Sequence, residues 1–584
     1  MQNVQIADVF DEMADLLEIG GESPFRVRAY RSGAQIIRDM PEPVAQWIRD
    51  GRDLAEIDGI GSTLAEKSKT LVNIGSLPQL DELRQKVPPT LRTLLNIPGL
   101  GAKKVAVLHK ELGIVDLAGL RAACEANQVK DLKGFGLKTQ QSILNGLSIA
   151  EQAGRRLLLD QADHLVSQLR SHMSLCKQVQ RFKFAGSFRR GKETVGDIDM
   201  LAVSDDPDCV MNHFIAFEAT QETLAHGPTK SSIRVANSFQ IDLRVVAEAS
   251  WGAALQYFTG SKEHNVVLRG LAKKLGLRLN EYGVFPIDDE THAVAGADEE
   301  EVYRSLRLPF IPPEFRENRF EWRPDFTEFE AGVVRLSDIQ GDMHMHTTET
   351  DGENSLEEMV AAARHRGLKY IAITDHSQRV SMARGLNAER LLQQWSAIDQ
   401  LNATLEPSEF LVLKGIECDI LENGEMDLPD EVLAQADWVM ASIHYGQKQS
   451  REQITDRILR AIRNPNVTAI SHPTGRLIGR RDAYDVDLEA VFQAAVEHGK
   501  LMEINANPMR LDLNDIHCMA ADAKGVQFVI STDAHSIANF DLMKFGVQVA
   551  RRAGLKREKI FNTRALAEIQ GLIKPKRREN KFYK

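Results

Sequence analysis

Two aspartates separated by one residue, Asp197 and Asp199, lie in an apolar, strand-like segment of the chain. A β-strand has a period of two, so both carboxylates would lie on one face. Two converging carboxylates repel each other unless a cation lies between them. Mg²⁺ is held in proteins by a few carboxylates together with substrate phosphates. A third aspartate with similar apolar flanks, Asp242, completes a pattern that predicts a two-metal site able to deprotonate a hydroxyl and stabilise a leaving phosphate group.

A turn that contains glycine, serine and arginine stands directly before the aspartate pair. Gly186 and Ser187 follow an apolar run, and Arg190 and Gly196 complete the turn. Backbone N–H groups and a hydroxyl in such a turn can meet phosphate oxygens. We therefore expect these four residues to bind phosphate oxygens.

A second set of residues, in the C-terminal third, has the types that bind metals. Most of its six histidines, two aspartates and one glutamate follow apolar strand-like runs. They are His344, His346, Asp351, His376, Glu417, His444, His472, Asp533 and His535. In a parallel barrel the C-terminal ends of the strands meet at one mouth. Nine nitrogen and oxygen ligands exceed the needs of one ion, so the pattern predicts two or three Zn²⁺ or Mn²⁺ ions, with Cys418 as a bystander.

Three short repeats in the first 150 residues share the pattern apolar-x-Gly-apolar-Gly. Each stands between two helical patterns, an arrangement typical of the helix-hairpin-helix. The glycines permit a positive φ in the turn, and the free N–H groups at the start of the second helix can hold a DNA phosphate without reading sequence. The residues assigned to DNA binding are Gly59, Gly61, Gly99, Gly101, Lys103, Lys104, Gly134 and Gly136.

Length and charge indicate a chain of several globular domains. The 584 residues carry a net charge of −11, yet residues 92–192 contain 17 Lys and Arg against 7 Asp and Glu. This basic stretch favours local binding to a polyanion. No apolar run approaches the ~18 residues that span a bilayer, and the acidic N-terminus is not typical of a signal peptide. The five scattered cysteines suit a reducing cytoplasm.

The turn and the three aspartates resemble the family X DNA polymerases of the nucleotidyltransferase superfamily. A further segment resembles the family's nucleotide-binding thumb, and its residues are Tyr257, Phe258, Gly260, Asn265 and Arg269. The resemblance, which covers about residues 1–318, implies that Ser187 and Arg190 hold the triphosphate and that the aromatic pair with Gly260 lines the sugar pocket. It places Asn265 and Arg269 at the nascent base pair and the minor groove. Lys262 departs from vertebrate members, which carry an acidic residue there.

The first helix-hairpin-helix also resembles the lyase segment of the same family. By that resemblance Lys67 is the nucleophile that forms a Schiff base with a 5′-deoxyribose phosphate. Arg26 and Tyr30 match the pocket for the 5′-phosphate, and Thr63 stands in place of a second basic residue. A lysine acts as a nucleophile only when its pKa is lowered. A solvated helix lysine is the alternative interpretation.

The nine C-terminal residues resemble the ligand set of the polymerase-and-histidinol-phosphatase (PHP) domain, a distorted (β/α)7 barrel. The match covers about residues 337–573, and every ligand position carries a suitable residue; Met343 replaces a more common leucine. The fusion of the two domains in this order resembles the bacterial and archaeal family X polymerases. That resemblance implies gap filling in base-excision repair, together with a Mn²⁺-dependent 3′→5′ exonuclease and possible cleavage at abasic sites.

The predicted fold class is therefore a multidomain α+β and α/β chain. It combines a helical DNA-binding region, a nucleotidyltransferase palm and a C-terminal distorted (β/α)7 barrel. The predicted domains are a lyase-like domain at 1–85, helical fingers at 86–150, the palm at 151–247, the thumb at 248–318, a linker at 319–336, the PHP barrel at 337–573 and a basic tail at 574–584.

The predicted partners are gapped or nicked DNA and deoxynucleoside triphosphates, with Mg²⁺ or Mn²⁺ at the polymerase site. We expect a monomer in the cytoplasm that does not bind membranes. Two other classes stay open: a nucleotidyltransferase that extends RNA or DNA without a template, and a DNA-end scaffold with relic sites. The three glycine repeats and the Tyr257-Phe258 pair oppose the first, and the complete sets of carboxylates and histidines oppose the second.

Overall fold

The computed structural model describes residues 1, 3–40, 42–97, 100–150, 156–289 and 291–579. The chain divides into two compact units. The first comprises Met1–Arg156 with Glu218–Leu224 and Ile233–Gln240. The second comprises Leu157–Phe217, Ala225–Ser232 and Ile241–Lys584.

The first unit is built mainly from helices around a core that includes Phe10 and Tyr30. Its α-helices are α1 (Asn3–Ile19), α2 (Pro24–Asp39), α3 (Val44–Arg49), α4 (Ser62–Ile74), α5 (Pro78–Lys86), α6 (Ala102–Leu112), α7 (Leu117–Glu125) and α8 (Leu137–Ala150). Helix α2 starts where it does because the Ser23 side chain accepts a hydrogen bond from the backbone N–H of Arg26 and a proline occupies the first turn. The predicted helix pairs are present.

The middle part of the chain forms short strands and helices. The strands are β1 (Leu157–Leu158), β2 (Arg181–Phe184), β3 (Thr194–Val195), β4 (Asp197–Val203), β5 (Glu222–His226), β6 (Lys230–Arg234), β7 (Gln240–Val245), β8 (Leu277–Asn280) and β9 (Gly283–Pro286). The helices are α9 (Leu159–Met173), α10 (Gly186–Arg189), α11 (Pro207–Ile215), α12 (Trp251–Thr259), α13 (Lys262–Lys274), α14 (Glu299–Ser305) and α15 (Phe326–Ala331). In the palm sheet, β4 is the neighbour of both β2 and β7.

The segment 319–336, predicted as a linker, contains helix α15. Its Phe326 and Phe329 are buried in one cluster with Tyr303 and Phe315 of the preceding segment. The Phe315 and Phe326 rings meet edge to face with centroids 5.6 Å apart. The aromatic residues that suggested a linker in the sequence therefore form a packed core.

The C-terminal part is a ring of parallel strands surrounded by helices. The strands are β10 (Gly341–Asp342), β11 (Tyr370–Ile373), β12 (Leu411–Asp419), β13 (Trp438–Ser442), β14 (Ala469–Ile470), β15 (Leu501–Asn505) and β16 (Gln527–Ser531). The helices are α16 (Leu356–His365), α17 (Ala388–Thr404), α18 (Asp430–Leu433), α19 (Arg451–Arg463), α20 (Leu488–Glu497), α21 (Asp515–Lys524), α22 (Met543–Arg552) and α23 (Leu566–Glu579).

The seven strands pair in chain order, and the first and last segments meet. A parallel bridge joins Met345 to Ala534, and the N–H of His346 donates to the Ala534 carbonyl at 2.8 Å. The strands are apolar and buried along most of their length, as in β11, because helices cover the outside of a parallel barrel. The predicted fold class, including the (β/α)7 barrel, is confirmed.

Within the described part of the chain, no helix is both long and apolar enough to cross a bilayer.

Candidate active sites

Neighbouring strands β4 and β7 bring the three predicted catalytic aspartates together. Asp197 and Asp199 alternate with the buried Ile198, so their side chains share the more open face of β4. Asp242 occupies the corresponding open face of β7. Burial and, after it, the nearby carboxylates of Asp197 and Asp242 together raise the pKa of Asp199 to about 7. Close carboxylates that disfavour each other's charge are a suitable environment for divalent cations.

The ammonium group of Lys230 offsets part of the negative charge of the three aspartates. The Lys230 Nζ lies 2.8 Å from Asp242 Oδ2, and the charge of Lys230 also acts on Asp199. Within the described residues, the sets of three or more ligand atoms that converge within 4.8 Å are formed by barrel residues and not by these aspartates.

The glycine turn lies against the aspartates, as predicted for a phosphate-binding turn. Gly186 has a φ of 62°, and a side chain there would place its Cβ 2.7 Å from Asp199 Oδ2. The N–H of Ala185 donates to the Asp199 carbonyl at 2.8 Å. Only glycine suits a position that combines this backbone conformation with so close an approach. Ser187, the next residue, is half-buried in the same turn.

Two arginines of the turn hold the predicted thumb segment. Arg190 donates from Nη1 to the Thr259 carbonyl at 2.5 Å and from Nε to Glu317 Oε1 at 3.0 Å. Arg189 donates to Thr259 Oγ1 at 2.6 Å and pairs with Glu299 at 2.7 Å. The predicted triphosphate-binding arginine thus lies beside the segment predicted to hold the sugar.

The predicted sugar and base contacts lie at the junction of helices α12 and α13. The Tyr257 and Phe258 rings meet edge to face, 5.1 Å apart. Gly260 ends α12 with a φ of 68°. The Asn265 amide donates to the Tyr257 carbonyl at 2.8 Å, and Arg269 Nε donates to the Asn265 carbonyl at 3.2 Å. All five residues predicted for this pocket are therefore in one place, with Asn265 fixing the backbone of the aromatic pair.

The first unit contains the predicted lyase residues and DNA-binding turns. Lys67 is half-buried on α4, and its pKa is lowered, first by burial and then by the charge of Arg26. Tyr30 is buried and its pKa is raised by burial, although Arg26 opposes the shift. Arg26 therefore lies near both Lys67 and Tyr30, which agrees with the predicted grouping.

Among the three predicted DNA-binding turns, the first and third contain the positive φ that the sequence predicts. Gly59 and Gly134 have φ values of 87° and 88°, and Gly61 and Gly101 directly precede α4 and α6; Gly136 directly precedes α8. Lys103 and Lys104 lie in the first turn of α6, and the Lys104 Nζ lies 5.8 Å from the centroid of the Phe135 ring. Gly99 lies outside the described residues.

All nine predicted barrel ligands meet at the mouth formed by the C-terminal ends of the strands. Three overlapping groups have ligand atoms within 4.8 Å of one another. They are His346, Asp351, His376 and His535; His344, His346 and Asp533; and His376, Glu417 and His444. His472 joins them because its Nε2 lies 2.9 Å from Glu417 Oε1. The nine residues thus form overlapping groups that could hold divalent metal ions.

Glu417 lies at the centre of this arrangement. Its oxygens are 2.8 Å from His376 Nδ1, 3.4 Å from His344 Nε2 and 3.6 Å from His444 Nε2. Burial favours the neutral carboxyl, but the charges of His444 and His376 hold the pKa of Glu417 well below its usual range. The carboxylate is therefore ionised and surrounded by imidazoles.

The donor atoms at the mouth fit divalent cations. His344 Nε2 and His346 Nδ1 are buried and have no hydrogen bond among the described residues. Buried polar atoms are nearly always satisfied, and imidazole and carboxylate without thiolate suit Zn²⁺ or Mn²⁺. The site is thus a candidate multi-metal centre in which these atoms are the ligands.

Several residues that sequence reasoning missed support the ligands. Glu503 Oε1 lies 2.7 Å from His344 Nδ1, and Glu503 Oε2 accepts from the His472 N–H at 2.6 Å. Asp419 Oδ1 lies 3.1 Å from His444 Nδ1. Such partners orient a ligating imidazole and raise its basicity. A signal for Glu503 existed, because it is a charge within the otherwise apolar strand β15.

An arginine that was also missed lies at the edge of the cluster. Arg510 Nε is 3.4 Å from Asp533 Oδ2, and its Nη1 is buried without a hydrogen-bond partner among the described residues. Its position in the loop after β15 had no local sequence signal. A guanidinium N–H group that has no partner and lies close to metal ligands can donate to a phosphate oxygen.

Comparison with protein families identifies four matching regions. Residues 1–77 match a helix-hairpin-helix domain and residues 91–148 a SAM-like helix-hairpin-helix tandem. Residues 254–317 match the DNA polymerase beta thumb, and residues 342–507 match the PHP domain.

Whole-protein relatives cover both parts of the chain. The DNA polymerase/3′-5′ exonuclease PolX of Bacillus subtilis (strain 168) is 38% identical over 577 residues, which are 98% of this chain and 100% of that protein. DNA polymerase lambda of Rattus norvegicus is 25% identical over 54% of this chain and 56% of its own length. A probable phosphatase of Thermoanaerobacter sp. (strain X514) is 30% identical over 41% of this chain and 96% of its own length.

Proposed function

The chain belongs to the family X DNA polymerases that carry a C-terminal PHP domain, and we propose that it fills gaps in base-excision repair and trims 3′ ends with its barrel. The observation that carries this proposal is the presence of two separate constellations of ligand residues in one chain. The palm contributes Asp197, Asp199 and Asp242, and the barrel mouth contributes nine other residues. Because the two sets share no ligand, each can support its own reaction.

At the palm, the protein's own residues bind and orient the incoming nucleotide. Mg²⁺ or Mn²⁺, when held by the three aspartates, supplies charge for activating the 3′-hydroxyl and stabilising the pyrophosphate. Ser187 and Arg190 bind the triphosphate, with the Gly186–Arg189 turn lying against Asp199. Tyr257 and Phe258 pack on the sugar and disfavour an extra 2′-hydroxyl. Gly260 permits this close approach.

Templated synthesis depends on the pocket behind the sugar. We assign Asn265 and Arg269 to the nascent base pair and the minor groove, whose acceptors both side chains can meet. Asn265 is held by Gln256, whose amide donates to it at 2.7 Å. A pocket fixed in this way favours a paired base over untemplated addition.

At the barrel mouth, the nine ligand residues would hold Zn²⁺ or Mn²⁺, which would supply Lewis acidity for the hydrolysis of a phosphodiester by water. Glu503 and Asp419 orient His344 and His444 for this task. Arg510, with its free donor beside Asp533, binds the phosphate that is cleaved. Release of a 3′ nucleotide requires no ligand of the palm.

The helical region binds the DNA substrate and processes its 5′ end in the proposed function. The three helix-hairpin-helix turns bind the backbone of gapped or nicked DNA without reading sequence, and Lys67 removes a 5′-deoxyribose phosphate as a Schiff-base nucleophile. The enzyme works as a monomer in the cytoplasm, a compartment that suits its five free cysteines.

A labelled primer on gapped DNA tests the proposal directly. With Mg²⁺ and deoxynucleotides we expect extension to the end of the gap, and with Mn²⁺ alone we expect shortening from the 3′ end. Equal use of ribonucleotides, or extension of a single strand without a template, would instead favour an untemplated nucleotidyltransferase. The absence of both reactions together with no bound metal per chain would favour a DNA-end scaffold.

A further inference from the structure

A buried arginine of the barrel contacts the polymerase turn. Arg552, the last residue of helix α22, is only 3% exposed. Its Nη1 donates to Glu317 Oε1 at 3.0 Å and to the backbone carbonyl of Arg190 at 2.8 Å. The same oxygen of Glu317 accepts from Arg190 Nε at 3.0 Å. One carboxylate oxygen therefore holds an arginine from the palm and an arginine from the barrel.

The remaining nitrogen atoms of the Arg552 guanidinium donate to a residue of the barrel part of the chain. Its Nη2 and Nε donate to Asp515 Oδ2 at 2.8 and 3.1 Å. Arg319 donates to the same oxygen at 3.0 Å. Because Arg552 is held by Asp515, its contacts with Glu317 and Arg190 start from a preorganised side chain.

Two further contacts show that the turn is closely fitted to the barrel. Gly191 has a φ of 65°, and a Cβ there would lie 2.4 Å from Cγ of Gln548 on α22. Glu193 Oε2 accepts from Arg476 Nη2 at 2.7 Å. The turn that carries Arg190 and leads to Asp197 is thus held by the barrel at three points.

The charges in this network do not cancel. Four cations, Arg190, Lys192, Arg319 and Arg552, face two anions, Glu317 and Asp515. Burial opposes ionisation of Glu317, but Arg552, Lys192 and Arg190 lower its pKa to about 2. The basic groups outnumber the two carboxylates, although burial and the charge of Arg552 lower the pKa of Lys192. Such an excess of basic groups in a poorly solvated place attracts a polyanion such as a triphosphate.

We propose that Arg552 is a positioning residue of the polymerase centre: it shares Glu317 with Arg190 and so keeps the Arg190 guanidinium oriented and available for the triphosphate. Without Arg552, Glu317 would pair fully with Arg190, and the nucleotide would have to compete with a buried ion pair. The inference rests on the proposed role of Arg190 in binding the triphosphate. It makes the barrel a contributor to nucleotide binding, in addition to its own hydrolysis.

Steady-state kinetics on a one-nucleotide gap, with the full chain, test this inference. For R552Q we expect the KM for the deoxynucleotide to rise about tenfold or more, as for loss of a hydrogen bond to a charged group, with a smaller change in kcat. R552K, which keeps the charge, should recover part of the loss. The matched control is K544Q, because Lys544 lies on α22 like Arg552 but forms an exposed ion pair with Asp163 of α9, 2.6 Å apart. The KM of K544Q should not change.

A double-mutant cycle identifies the route of the effect. In an E317Q background, R552Q should raise KM much less than in the wild type, because the effect runs through Glu317. An equal rise in both backgrounds, or no rise in R552Q, would overturn the inference. Retained 3′→5′ degradation and metal content establish that R552Q is folded. If R552Q loses both, R552M, which removes the charge but keeps the length of the side chain, replaces it in the cycle, and an unchanged KM for R552M then overturns the inference equally.

The variant R190A separates this inference from the function on which it rests. A raised KM for R190A with an unchanged KM for R552Q would refute only the role of Arg552. An unchanged KM for R190A would refute the assignment of Arg190 to the triphosphate, and the inference with it.

Discussion

Residues of the same type have very different environments in this chain. Lys67 is half-buried near Arg26, whereas Lys69, two residues along the same helix, pairs with Glu66 at 3.1 Å. Asp199 has neighbouring carboxylates that raise its pKa, whereas Asp325 pairs with Arg323, which lowers its pKa. Perturbed groups of this kind are concentrated at functional sites. The side-chain environment therefore separates candidate catalytic groups from surface groups.

The environment of Lys67 leads to a prediction about Schiff-base chemistry. Since its pKa is lowered by burial and by Arg26, a larger fraction of its amine is uncharged and nucleophilic. We expect borohydride to trap a covalent adduct between the wild type and a 5′-deoxyribose-phosphate end. K67A should lose most of this adduct and K69A should keep it. Equal trapping by K67A would assign the chemistry to another amine.

The aspartates lead to a prediction about primer extension. D197A and D242A should each lower extension by at least about 100-fold, more than the 10–100-fold typical of residues that only support a ligand. Degradation by the barrel should persist, since the aspartates are not among its ligands. D208A, which removes an exposed aspartate of the palm, is the control. Near wild-type extension by either variant would contradict the assignment.

At the scale of elements, each site depends on how strands end or pair. Strands β4 and β7 lie side by side, which brings Asp242 to the pair on β4. The parallel bridge between Met345 and Ala534 closes the barrel and brings ligands of its first and last segments together. His346 Nε2 and Asp533 Oδ1 are consequently 3.1 Å apart although 187 residues separate them.

Because the barrel closes, we expect residues of its first and last strand segments to bind the same metal cluster. H344A and D533A should each suppress Mn²⁺-dependent 3′→5′ degradation by about 10–100-fold or more. Each should also lower the bound metal per chain, measured by elemental analysis, while gap filling persists. H498A removes an exposed histidine outside the mouth and should change neither quantity. Full activity and metal content in both variants would show that the cluster is wrongly assigned.

At the scale of the whole molecule, the barrel and the palm turn are joined by charged contacts. Glu317, Arg552 and Asp515 link them through buried side chains, and Arg551 adds a contact with Glu314 at 2.6 Å. Removing one partner of a buried pair leaves an uncompensated charge, which is strongly destabilising. The two catalytic parts are therefore separate in their ligands but connected in their packing.

Because the palm and the barrel have separate metal ligands, the effect of Mn²⁺ on thermal stability can be assigned to one of them. A ligand that binds only the folded state adds about 2.7 kcal/mol at a concentration of 100 times its Kd. Calorimetry should therefore show a higher Tm for the wild type and for D242A when Mn²⁺ is added. H344A should show a clearly smaller shift. The same shift in H344A as in the wild type would mean that the stabilising ions bind elsewhere.

The sequence by itself determined the local parts of both sites. The spacing of Asp197 and Asp199 places them on one strand face, and the position of His472 or Asp533 after an apolar run places it at a strand end. These inferences need only the periodicity of a strand and the convergence of parallel strand ends. The family resemblance supplied the roles of the thumb residues in the same way, from contiguous motifs.

Only the tertiary structure decided which distant charges meet. Glu503 supports His344 from 159 residues away, and Arg552 shares Glu317 with Arg190 across 235 and 127 residues. Among 72 basic and 83 acidic residues, local sequence does not specify which distant charges form pairs, because such pairing depends on distance and burial in the folded chain. The aromatic segment at 319–336 illustrates the same limit, since Phe326 acquires its buried role only by packing against Phe315.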